Sequence, residues 1–153
     1  MEIGETRNFS GHAGLLGLFW FRDYDWGMNG LHLTADLSDC QCEAAWLIDE
    51  QRLGAACVKA VEESGLQAVA QLFHRFPDSP HGPHSPGGIT ATVLLAESHL
   101  CVHTWPEKSA VTLDVYVCNF GGDHSDKARM LMAALMQLFA PGKVAVNSLE
   151  RGA

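Results

Sequence analysis

Three residues carry groups suited to nucleophilic and acid–base work: the hydroxyl of Ser98, the imidazole of His103 and the thiol of Cys118. The first two fall within LLAESHLCVHTWPE, Leu94 to Glu107, and the third ends the stretch that follows. A neutral imidazole accepts a proton readily near pH 7. A hydroxyl becomes a nucleophile when a base takes its proton. Singly, each residue is ordinary. Serine after a strand is commonly a turn residue, histidine in a strand is usually structural, and a free cysteine is most often a small buried hydrophobe. That last description suits Cys57, and Cys101 with it.

The elements that must position these groups are legible from alternation. Ala91 to Ala96 is an apolar run dense in strand formers, and His99 to Trp105 alternates as a second strand. On that strand His99, Cys101, His103 and Trp105 share one face, with Leu100, Val102 and Thr104 on the other. Val111 to Cys118 also alternates, setting Thr112, Asp114, Tyr116 and Cys118 opposite a purely apolar face of Val111, Leu113, Val115 and Val117.

AESHLCVHTWPE followed by VTLDVYVCN resembles the processing and active-site region of prokaryotic S-adenosylmethionine decarboxylases. The likeness extends from GLHLTADL at Gly30, through FHRF at Phe73 to Phe76, to ERG at Glu150 to Gly152, and leaves the first 29 residues uncovered. The resemblance implies a proenzyme that cuts itself between Glu97 and Ser98, leaving residues 1–97 and 98–153. The hydroxyl of Ser98 attacks the carbonyl carbon of Glu97, His103 serves as the base in the elimination that follows, and residue 98 ends as a pyruvoyl group. That carbonyl is the cofactor: it forms a Schiff base with an amine substrate and takes up the electrons that CO2 leaves behind. Cys118 matches the family's acid, which protonates the resulting carbanion. Phe76 matches an aromatic placed against adenine, and Glu107 a carboxylate able to bind ribose hydroxyls. Simple core packing is the plainer reading of Phe76. One departure is Thr90, which stands where the family commonly has serine. It keeps a hydroxyl for the strained carbonyl but adds a stiff β-branch, so the rate of processing is expected to be tuned there.

Composition sets the outer bounds. The chain has 153 residues, 47% of them hydrophobic, enough for one domain with a core. Its net charge of −8 argues against nucleic acid or anionic lipid as partner and favours a cationic substrate. S-adenosylmethionine carries a sulfonium, which an aromatic face holds with about 0.5–2 kcal/mol per contact. Five cysteines without paired CxxC spacing point to a reducing cytoplasm, and Cys40 and Cys42 stand too close for a zinc knuckle. The apolar run from Leu18 to Phe21 is too short to span a membrane and lacks a basic flank for a signal.

The remaining elements follow from periodicity and punctuation. Leu31 to Leu37 is expected as a strand, Glu50 to Ser64 as a helix burying Leu53, Cys57, Ala60 and Val61, and Leu66 to Phe76 as a strand. Pro77 to Gly88 is a turn-rich loop. Ser125 is expected to cap a helix through Phe139, with Ala128, Leu131, Leu135 and Leu138 inward and Pro141-Gly142 ending it. Lys143 to Leu149 closes the chain as a strand. Condensed as βαβββαβ, this is an α+β fold: a two-layer α/β sandwich whose antiparallel-rich sheet carries its helices on one face. Residues 1–29 form an extension of unknown role and 30–153 the decarboxylase-like domain. The uncovered sheet face agrees with the homodimer implied by the family, whose sites lie at the interface.

Two other readings compete. A pyruvoyl decarboxylase of ornithine or arginine would need the same Ser98, His103 and Cys118, since these serve the reaction and not the substrate's side chain. A non-enzymatic metal-binding module is suggested by His74, His81 and His84 around the Pro-rich loop. His103 and Glu107 have i, i+4 spacing, but Pro106 forbids the helix that would pair them. No metal is expected.

Overall fold

The computed structural model describes residues 29–78 and 86–152. Most of the N-terminal extension, with its Leu18 to Phe21 run, and His81 and His84 therefore lie outside the described residues.

Alternation builds a single sheet. Strands β1 (Gly30–Cys40), β2 (Ala68–Arg75), β3 (Ile89–Leu95), β4 (Ser98–Trp105), β5 (Ala110–Cys118) and β6 (Pro141–Arg151) pair in the order β2-β3-β4-β5-β1-β6. Every pairing is antiparallel. The two-layer α+β architecture is as expected and so is each of the six strands named from sequence, which the condensed order βαβββαβ undercounts by one; the one addition is a short helix, α1 (Ala45–Ile48).

Helices α2 (Glu50–Glu63) and α3 (Ser125–Phe139) lie on one face. Asp49 starts α2, its Oδ1 accepting from the N–H of Gln51 and Arg52 at 3.1 and 3.0 Å. The helix stops at Gly65, whose φ of 76° lets the N–H of Leu66 reach back to the carbonyl of Val61. Ser125 is not the cap of α3 but its first residue. Asp123 Oδ1 accepts from the Ser125 N–H at 2.9 Å, and Asn119 Oδ1 from the His124 N–H at 2.9 Å. The Ser125 hydroxyl and N–H both hold the Asp123 carboxyl below its ordinary range. Ala128, Leu131, Met132, Leu135 and Phe139 are buried, whereas Leu138 is only partly so. A strict 3.6-residue repeat from Leu135 lands on Phe139, which takes the inward place expected of Leu138. Ala140 ends the helix in the left-handed region, directly before the Pro141-Gly142 expected to stop it, and β6 opens at Pro141, two residues ahead of the Lys143 start read from sequence. An edge strand tolerates proline at its first residue because no ladder N–H is lost.

The core fills the space between sheet and helices. Leu31, Leu33, Ala35 and Leu37 of β1, Leu100 and Val102 of β4, and Val111, Leu113, Val115 and Val117 of β5 meet Leu53, Cys57 and Val61 of α2 and the inward row of α3. Burial pushes the Cys57 thiol up to about 12, as its reading as a packed hydrophobe requires. Side chains out of phase with this set occupy the opposite face, on which no helix packs among the described residues.

Candidate active site

β3 and β4 are joined by a two-residue turn, Ala96-Glu97, with Leu95 facing Ser98 across it. Glu97 sits at φ 60°, a left-handed conformation that costs a non-glycine residue about 1–2 kcal/mol. The bond between Glu97 and Ser98 is thus held at a strained hairpin tip. Ser98 is in phase with buried Leu100 and Val102 and out of phase with His99 and His103. Its Oγ accepts from the N–H of Cys118 at 3.0 Å. This bond sets residue 98 beside residue 118, which is half-buried at the end of β5.

A glycine makes room at the same end of the sheet. Gly30 faces Cys118, and a Cβ there would stand 2.6 Å from the Val117 carbonyl oxygen and 2.9 Å from Tyr116 Cε2. The Tyr116 ring lies over that gap, with the Arg151 guanidinium 5.1 Å from its centre.

His103 is elsewhere. Thr90 and His103 face each other across β3 and β4, and Thr90 Oγ1 lies 2.8 Å from His103 Nδ1. Both line a cleft of about 410 Å3 together with Phe76, Trp105 and Glu107. Phe76 is 49% exposed and meets His74 edge-on, so it is not the core residue its plainer reading suggested. Glu107 stands in the 3-10 turn Pro106–Lys108 that ends β4, not on a helix with His103. The rim is fastened at Asp78, whose Oδ1 accepts from the Gly87 N–H at 3.1 Å and pairs with Arg75. The Gly87 N–H above all, then Arg75, holds the Asp78 carboxyl below its ordinary range.

The residues singled out in the sequence therefore divide. Glu97, Ser98 and Cys118 gather at one end of β3, β4 and β5, and Thr90, His103, Phe76 and Glu107 at the other. Five residues of extended strand separate Ser98 from His103, roughly 17 Å at about 3.3 Å per residue. Within one protomer the histidine does not reach the bond it was expected to help break.

This arrangement has known counterparts. A profile described as S-adenosylmethionine decarboxylase matches residues 31–152. The chain belongs to the S-adenosylmethionine decarboxylase family. An S-adenosylmethionine decarboxylase proenzyme from Synechococcus sp. (strain WH7803) is 32% identical over 134 residues, covering 81% of this chain and 94% of the relative. One from Picrophilus torridus is 32% identical over 123 residues, covering 80% and 84%. Among solved structures, the adenosylmethionine decarboxylase from Aquifex aeolicus superposes with a TM-score of 0.69 at 30% identity, over 82% of this chain and 92% of that one. Members of the S-adenosylmethionine decarboxylase family are thus similar to this chain across nearly all its described residues.

Sequence reasoning passed over two side chains at the Ser98 end. His32 and His99 both face Tyr116, and both rings approach Asp114. The signal was present in the alternation of GLHLTADL, which puts His32 on the polar face of β1. Among the described residues no helix is long and apolar enough to cross a membrane.

Proposed function

We propose that the chain is a proenzyme that cuts itself between Glu97 and Ser98, converts Ser98 to a pyruvoyl group, and decarboxylates S-adenosylmethionine to supply an aminopropyl donor for polyamine synthesis. The observation that carries this reading is the hairpin tip: a left-handed Glu97 beside a serine whose hydroxyl is fixed by the Cys118 N–H. The names of the relatives, all decarboxylase proenzymes, agree with it.

The steps balance with the chain's own atoms and water. Ser98 Oγ adds to the Glu97 carbonyl carbon, the C–N bond breaks, and an ester replaces the amide while the amine of residue 98 takes the proton. A base removes the Cα proton of residue 98, and the Glu97 carboxylate leaves from Cβ. Water then replaces the nitrogen, which departs as ammonia, and a ketone remains. When formed, that ketone supplies an electron sink to an amine substrate. Cys118, alongside residue 98, is the proton donor to carbon.

The base and the substrate cleft are supplied by a second copy. The open sheet face carries Leu72, Leu94, Trp105 and Leu149, all more than two-fifths exposed, around its polar centre. Apolar surface of this extent on one face suits burial against a partner. In a two-fold dimer formed through this face, the Ser98 end of one protomer meets the cleft of the other. His103, positioned by Thr90, then acts on the partner's residue 98, with Phe76 and Glu107 holding the adenosyl group. A C2 dimer repeats this arrangement twice.

Mass spectrometry of the denatured protein is the test. Two chains are expected, 1–97 and 98–153, the smaller lacking a free amine. Ser98→Ala should give one chain and no CO2 release from S-adenosylmethionine. A single intact mass for the unmodified protein would overturn the reading, and faster CO2 release from ornithine or arginine would overturn its substrate.

A further inference from the structure

At the centre of the open sheet face, three adjacent strands each aim one metal-competent group at a common point. These are His32 from β1, Asp114 from β5 and His99 from β4. Asp114 Oδ1 lies 2.8 Å from His32 Nε2 and 3.3 Å from His99 Nε2. All three atoms fall within 4.8 Å of one another. Neither imidazole is needed for the chemistry proposed above. Two imidazoles converging on one carboxylate oxygen is more than a simple ion pair requires.

The spacing matches that of a metal coordination shell. Zinc binds imidazole nitrogen at about 2.0–2.1 Å and carboxylate oxygen at about 2.0–2.2 Å, so tetrahedral ligands stand roughly 3.3–3.5 Å apart. Two of the separations here are 2.8 and 3.3 Å, so small side-chain rotations suffice to admit an ion. The register holds the set in place. His32, Tyr116 and His99 face one another across β1, β5 and β4, and the Tyr116 ring centre lies 5.9 and 5.6 Å from the two imidazoles. Tyr116 thereby walls one side, while side-chain exposures of 21%, 37% and 36% within one protomer leave the other side facing the partner copy proposed above. Two imidazoles and one carboxylate are a borderline donor set, suited to zinc and its neighbours and not to magnesium or calcium, which take oxygen ligands.

We infer that His32, His99 and Asp114 form a binding site for one divalent transition-metal ion per chain, zinc by preference. The ion ties β4 to β5 and β1 immediately beside Ser98. His32 belongs to residues 1–97 and the other two ligands to 98–153, so the same ion bridges the two pieces of a cut chain. The site does not depend on cutting, because all three ligands are present in either form. It also departs from the metal-free expectation drawn from sequence.

The test uses the full-length Ser98→Ala chain, which remains uncut whatever the fate of the maturation reading. After chelation and dialysis it is titrated with Co2+, followed by the visible absorption of the bound ion. A single equivalent is expected to bind, to be displaced by Zn2+ and to be unaffected by excess Mg2+. Adding His32→Gln or Asp114→Asn, both close in size to the native side chain, should weaken Co2+ binding at least about 10–100-fold, since even residues that only support a ligand have effects of that size. Adding His74→Ala or His103→Ala should leave it unchanged. Circular dichroism checks that each variant folds, and His99→Gln replaces any that does not. No binding at micromolar Co2+, or equal binding with His32 and Asp114 replaced, overturns the inference.

Discussion

The split between the two ends of β4 makes a quantitative prediction about mixed dimers. Ser98 and His103 are roughly 17 Å apart along one strand, whereas a base must come within about 3 Å of the proton it takes. Ser98→Ala has an intact cleft but nothing to cut, and His103→Ala has an intact bond but no base. In a mixed dimer the Ser98 of the second variant faces the His103 of the first, giving one complete site, while the other site lacks both groups. Random pairing makes about half the dimers mixed, so about half of the His103→Ala chains should be cut and about one quarter of wild-type sites should form. Co-expression with tags of different mass, followed by mass spectrometry of the denatured protein, reads both fractions. Each variant alone should stay whole. If mixed dimers isolated through both tags contain no cut chain, or if His103→Ala alone matures fully, the site is not shared between protomers.

Three further outcomes follow from local geometry. Cys118→Ala should still allow cutting, since the Ser98 hydroxyl is held by a backbone N–H, but turnover should fall and stop progressively as protons reach the wrong carbon; the mass of the small chain after turnover checks this. Gly30→Ala should destabilise the protein by about 1–3 kcal/mol in urea unfolding, because its methyl group meets the Val117 carbonyl and the Tyr116 ring at 2.6 and 2.9 Å. Alkylation at pH 8 should spare Cys57 until the protein is unfolded: with its thiol at about 12, the native thiolate fraction is about one in ten thousand.

The chemistry-bearing hairpin was legible because alternation is a strong local signal: the partition of His99, Cys101, His103 and Trp105 from Leu100 and Val102 matches the strand register. Helix α2 was legible from the helical spacing of Leu53, Cys57 and Val61, though its Asp49 cap was not singled out. Misplaced features were those set by geometry beyond one element. Alternation places His103 on a strand face but does not report which protomer's residue 98 it serves, so the separation of Ser98 and His103 was not legible. One-turn α1 is too short to carry periodicity, and the start of β6 at Pro141 was missed because sequence alone does not reveal that it is an edge strand, where a leading proline is tolerated. His32 lay in a run read only as a strand, and its nearness to His99 depends on β1 pairing with β5 across 82 residues of chain separating it from Asp114.

The sheet order has a mechanical consequence. β1, β2 and β3 precede the bond between Glu97 and Ser98, and β4, β5 and β6 follow it, yet β1 is inserted between β5 and β6. Severing that bond leaves two polypeptides stitched along three seams, β3 to β4, β5 to β1 and β1 to β6, with α2 from one piece packed against α3 from the other. Neither polypeptide can slide free without opening the core. Backbone continuity at this point is dispensable to the architecture, so the chain can spend a peptide bond on making its reactive group and keep its shape.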